Sequence, residues 1–159
     1  MSTNNSYIGV ALLTAVAVYI LYVKADNTTP TLTREYHNVA EDLKDDLAQL
    51  IEAYYQEYIH PHERPHYEFI IPANRSETHN KERIFVMIND PITGEVFDRN
   101  TLLQVGAHEC AHMLCRVDEV DEHGPLFCSI LNKLEVIGKK LDLFDCNIRI
   151  SQRYKQRCT

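Results

Sequence analysis

The sequence predicts an α+β domain preceded by an N-terminal transmembrane helix, and three observations predict it. Residues 7–23 are uncharged and mostly apolar. Apolar residues recur at helical spacing over about 32–58, 101–116 and 125–143. Between the first two of these helices lie two short runs rich in β-formers, Tyr67 to Ile71 and Arg83 to Ile88.

The length bounds what these pieces form. A chain of 159 residues without an internal linker holds one domain and its appendages. The divisions are an anchor over 1–24, a linker over 25–31 and a domain over 32–159. Hydrophobic residues at 45% and charged residues at 25% exclude a disordered or fibrous chain.

Charge narrows the partners. The net charge of -7 lies wholly beyond residue 23, because the first 23 residues hold no Asp, Glu, Lys or Arg. An acidic domain makes a poor general polyanion binder, since nucleic-acid affinity comes chiefly from Lys and Arg displacing counterions. The exception is the basic C-terminal tail with Arg149, Arg153, Lys155 and Arg157. It reads first as a solvated tail that keeps an acidic protein soluble, and second as a contact for phosphates or lipid headgroups. Five cysteines, none in a Cys-x-x-Cys pair, favour free thiols and a reducing compartment.

The anchor runs YIGVALLTAVAVYILYV, seventeen residues, at the lower limit of what crosses about 30 Å of hydrocarbon as a helix. Tyr7, Tyr19 and Tyr22 near its ends suit the membrane interface. Small residues around Val23-Lys24-Ala25 offer a rival reading as a cleaved signal, but the leading MSTNNS has no basic residue. Lys24 and Arg34 follow the segment and nothing basic precedes it, which sets the body of the chain on the cytoplasmic side. Sequons at Asn4, Asn27 and Asn74 would matter only on the opposite side.

Within the domain, Val39, Leu43, Leu47, Leu50, Ile51, Tyr54 and Tyr55 mark one face of the first helix. Pro61 and Pro65 end it. The two β-rich runs are expected to pair as an antiparallel ribbon, with a polar connection containing Asn74, Ser76 and Asn80. Asp90 to Gly94 reads as a turn, and Asn100 or Thr101 is expected to cap the next helix. The acidic loop VDEVDE then leads to the last helix, Pro125 to about Leu143.

The chemistry lies in His108-Glu109-Cys110-Ala111-His112. Residues four apart stand above one another on a helix, so both imidazoles reach one ion at about 2.0–2.1 Å. Glu109, turned by about 100°, lies beside the metal without being forced to ligate it. A catalytic zinc ordinarily takes three protein ligands and a water, and His123, followed by Gly124, supplies the third ligand most economically.

HECAHML, then EHGPLF, then a helix beginning SILNKLEVIG, resemble the WLM-domain metalloproteases and, more distantly, the SprT-like ones. The resemblance covers roughly residues 101–143. It implies a minimal zincin-like domain, with a zinc helix beneath a substrate-binding edge strand, and Zn2+ held by His108, His112 and His123. Glu109 is then the general base, and the reaction is peptide-bond hydrolysis by an activated water. The partners expected are a protein or peptide substrate and, through residues 7–23, a membrane. A DNA-linked protease, as some relatives are, would depend on the basic tail.

Other candidates compete. The domain could be a non-catalytic adaptor stabilised by a structural zinc, although such a site gains nothing from a carboxylate at an open coordination position. Glu135 could replace His123. His60, His62 and His66 could form a second metal site, or a polar loop. Asp118, Glu119, Asp121 and Glu122 could orient the ligands, or form a solvated loop. Tyr67 and His66 are candidate donors to an oxyanion. Cys110, two positions from His108, should face the core.

Overall fold

The computed structural model describes residues 34–59, 64–115, 123–152 and Tyr154. The anchor expected at residues 7–23, the linker and the loop 116–122 lie outside the described residues. No helix among the described residues is long and apolar enough to cross a membrane. The chain falls into two units, residues 1–37 and 38–159. Only 34–37 of the first are described, and they are helical.

Among the described residues the architecture is α+β, with three long helices and a small three-stranded sheet. Helix α1 covers residues 34–58. Its buried positions, Ala40, Leu43, Leu47, Leu50, Ile51, Tyr54 and Tyr55, follow the expected 3–4 spacing, and of the apolar face only Val39 is half-buried.

The sheet departs from the expected ribbon. Strand β1 (Glu68–Ile70) pairs with β3 (Arg83–Phe85) in parallel, with Phe69 opposite Ile84. Between them in sequence, β2 (Glu77–His79) forms an edge strand antiparallel to β3, with Thr78 opposite Ile84. The expected polar connection is therefore a third strand. Each strand reverses the chain once, so an extra strand between β1 and β3 turns their antiparallel relation into a parallel one. β2 escapes notice because its residues do not alternate in hydropathy. Its pairing follows a three-residue connection, Asn80-Lys81-Glu82, between His79 and the opposing Arg83, in which Glu82 N–H donates to His79 C=O at 3.1 Å. Asn80 and Lys81 both take positive φ, 55° and 57°, as a type I′ turn requires.

The expected turn at Asp90 is present. Gly94 N–H donates to Asp90 C=O at 2.8 Å, and the buried Asp90 carboxylate accepts from Ile92 N–H at 2.8 Å.

Helix α2 (Arg99–Leu114) is the centre of the domain. Eleven of its sixteen residues are buried, the pattern of a helix covered on most sides. Its cap lies earlier than Asn100 or Thr101. Asp98 caps it, accepting from Thr101 N–H at 2.8 Å and from the Thr101 hydroxyl at 2.7 Å. Asn100 and Thr101 serve instead to bind the C-terminal segment. Asn100 Oδ1 accepts from Asp145 N–H at 2.8 Å, and Thr101 Oγ1 from Ser151 N–H at 3.0 Å.

Two residues before His108, α1 lies close against α2. A Cβ on Gly106 would fall 2.6 Å from Leu47 Cδ1, so a larger residue there would require the buried Leu47 side chain to shift. Helix α3 (Pro125–Lys140) begins with proline at its first position, where the missing N–H would be unsatisfied anyway, and packs on α2 through Phe127, Ile130, Leu134 and Ile137. It ends before Leu143, which accordingly lies outside the helix.

Candidate metal centre

His108 and His112 lie one helical turn apart on α2, half-buried, and exposed His123 stands just before the start of α3. His108 Nε2 is 3.2 Å from His112 Nε2 and 3.2 Å from His123 Nε2. One ligand atom from each of the three lies within 4.8 Å of the others. They are therefore close enough to hold a metal ion.

The donor set fits an ion. Nitrogens about 2.0–2.1 Å from a tetrahedral centre are separated by roughly 3.3–3.4 Å, close to the two spacings observed. Imidazole must also be neutral to ligate. Burial, with the neighbouring His123, lowers the pKa of His108. Burial, then His108, His123 and Lys81, brings His112 down to about 4. Neutral rings are thus the state that the fold favours.

Phe127 backs the cluster. Its ring centroid lies 5.0, 4.4 and 4.8 Å from those of His108, His112 and His123. This buried side chain, from the first turn of α3, limits where all three imidazoles can sit. The Cys128 thiol donates to His123 C=O at 3.3 Å, so the same turn also holds the backbone of the third histidine.

Glu109 points to the other neighbour of α2, the edge strand. It is buried at 7% exposure. Thr78 on β2 places its hydroxyl 3.0 Å from Glu109 Oε2 and 2.8 Å from Glu109 C=O. Burial raises the Glu109 pKa to about 7, with the Thr78 hydrogen bond opposing that rise and Glu77 adding to it. A carboxyl near neutrality can both accept and return a proton.

The structure thus brings His108, His112 and His123 together with Glu109 beside them on α2. Among the described residues Glu135 is not part of the cluster. Tyr67 packs on Phe69 at 5.4 Å, and burial, together with Cys110 and Glu52, raises its pKa. Cys110 is buried, as expected, two residues and about 200° around the helix from His108. Tyr67 thus feels Cys110, which lies away from His108 around α2, and His66 is exposed. His60, His62, Asp118, Glu119, Asp121 and Glu122 lie outside the described residues. Cys110, Cys115, Cys128 and Cys146 are free thiols.

Sequence reasoning missed Thr78 and Lys81. The local hint was the short polar run Asn80-Lys81-Glu82 between Thr78-His79 and the apolar run from Arg83, which lacks the Asn-Gly or Asp-Gly pair of a strong hairpin signal. No family model, curated protein or solved structure matches the chain.

Proposed function

We propose that this chain is a zinc-dependent metallopeptidase with a zincin-like catalytic domain, tethered to a membrane through residues 7–23. The observation that carries the reading is the placement of Glu109. A buried carboxyl, with a pKa near 7, stands one residue from a histidine of a three-histidine cluster. Keeping a carboxyl there is costly, and a purely structural metal site has no use for it.

His108, His112 and His123 would hold the ion, leaving its fourth position open. Bound zinc supplies Lewis acidity, polarising a carbonyl and acidifying a water. Glu109 takes the proton from the attacking water and returns it to the leaving amine. Strand β2, at the sheet edge and joined to α2 by Thr78, offers unpaired backbone groups for an extended peptide. The WLM and SprT-like resemblance of the HECAHML and EHGPLF segments supports the same assignment.

The test is zinc content and casein cleavage by the full chain in detergent, comparing wild type with Glu109→Gln and His123→Ala. The reading requires one zinc and cleavage in wild type, zinc without cleavage in Glu109→Gln, and no zinc in His123→Ala. Cleavage that survives in Glu109→Gln would defeat it. Zinc without hydrolysis of any peptide tried would favour an adaptor stabilised by its metal.

A further inference from the structure

We infer that Thr78 is the positioning residue of Glu109, fixing from the edge strand which carboxylate oxygen takes the proton. The assignment rests on the hydrolase reading above for its consequence, but the contact itself is a matter of geometry. The Thr78 hydroxyl lies 2.8 Å from Glu109 C=O and 3.0 Å from Glu109 Oε2. A hydroxyl carries one proton and two lone pairs. With Glu109 ionised, both neighbours are acceptors only, and the charged oxygen makes the stronger bond. The hydroxyl then donates to Oε2, and Oε1 is left for the proton of an attacking water.

The hydroxyl is well placed to impose that choice. Threonine is stiff at χ1, because two heavy atoms on Cβ restrict its rotamers. Its backbone is set by the β2–β3 register, in which Thr78 opposes the fully buried Ile84. Glu109, by contrast, has three rotatable side-chain bonds, and a base must come within about 2.6–3.2 Å of its proton to act. The stiff partner fixes the flexible one. Seating a peptide on β2 and aiming the base thereby depend on the same three-residue strand.

The experiment compares the zinc-loaded full chain in detergent as wild type, Thr78→Val and Thr78→Ser. Valine keeps the shape and removes the donor, while serine restores the donor without the methyl. Expected for Thr78→Val is a kcat lower by roughly 10- to 100-fold, with KM, zinc stoichiometry and Tm close to wild type. Thr78→Ser recovers most of the rate. If Thr78→Val does not fold, Thr78→Ala takes its place. The assignment is overturned if the variant lacking the donor keeps kcat within twofold, or if serine fails to recover it. It is also overturned if zinc or Tm is lost in step with activity, which is the mark of a merely structural bond. If wild type hydrolyses nothing, the hydrolase reading fails separately. The side-chain carboxyl 13C resonance of Glu109 then decides. It moves in the variant lacking the donor and returns in Thr78→Ser if the hydroxyl holds the carboxylate, and the assignment fails if it does not move.

Discussion

The ring of Phe127 stands 4.4 Å from that of His112, the closest of its approaches to the three histidines. The histidine cluster therefore shares a wall with the core, since Phe127 is buried against α2. Phe127→Ala is expected to destabilise the protein by about 3–5 kcal/mol through the lost ring and its cavity. It should also weaken zinc binding by roughly 10- to 100-fold as the imidazoles lose their backing. Phe127→Leu should lose less of both. Urea unfolding and chelator competition measure the two effects, and unchanged zinc affinity in Phe127→Ala would show that the histidines hold their geometry alone.

With zinc in the site, as proposed, its removal should lower stability by an amount set by mass action. At a free concentration one hundred times Kd, zinc adds about 2.7 kcal/mol. That increment should vanish in His123→Ala, and it should shrink with acid. The folded pKa values of His108 and His112 lie below the ordinary value, His112 at about 4. Below about 6.5 the unfolded chain takes up protons that the fold resists, so the metal-free protein also loses stability as pH falls from 6.5 towards 4. Thermal melts with and without EDTA across that range check both statements.

Glu109 works in the opposite sense. Its pKa rises from 4.5 to about 7, chiefly by burial, so between those values the folded chain holds a proton that the unfolded chain releases. Stability of the metal-free protein is lost as pH rises through that window, and the full cost is present above 7. Glu109→Gln is therefore expected to stabilise the metal-free chain by up to roughly 3 kcal/mol at pH 8, and by little below pH 4.5. The histidines titrate in both proteins and largely cancel in the difference. A variant no more stable than wild type at pH 8, in EDTA, would mean that the carboxyl is not penalised by its site.

The sequence made the long helices and the histidines legible because each has a local signature. Leu43, Leu47, Leu50, Ile51 and Tyr54 repeat with the helical period and are all buried, and H-E-x-x-H sets its own spacing on α2. What escaped was non-local. Thr78 is one polar residue in a strand of three, and its meaning comes from Glu109, thirty-one residues away. The missed strand also hid the parallel pairing of β1 with β3. Asp98 displaced Asn100 and Thr101 as the cap because those two side chains bind Asp145 and Ser151, partners that no local window contains.

The hairpin that places Thr78 carries its own cost. Lys81 holds φ at 57°, in the left-handed region where a Cβ crowds the following carbonyl at about 1–2 kcal/mol. Asn80, at 55°, belongs to a residue type that tolerates it. Lys81→Gly removes the crowding and adds some freedom to the unfolded chain, which offsets about 0.5–1 kcal/mol. The net expected gain is about 0.5–1 kcal/mol, or a Tm higher by a few degrees. The same substitution removes a charge that opposes protonation of His112, so the pKa of that imidazole should rise. Melting and histidine NMR titration of the metal-free variant read the two effects separately. A lower Tm would show that the lysine side chain contributes more to the turn than its backbone costs, and an unmoved His112 would place the ammonium too far away to act on the site.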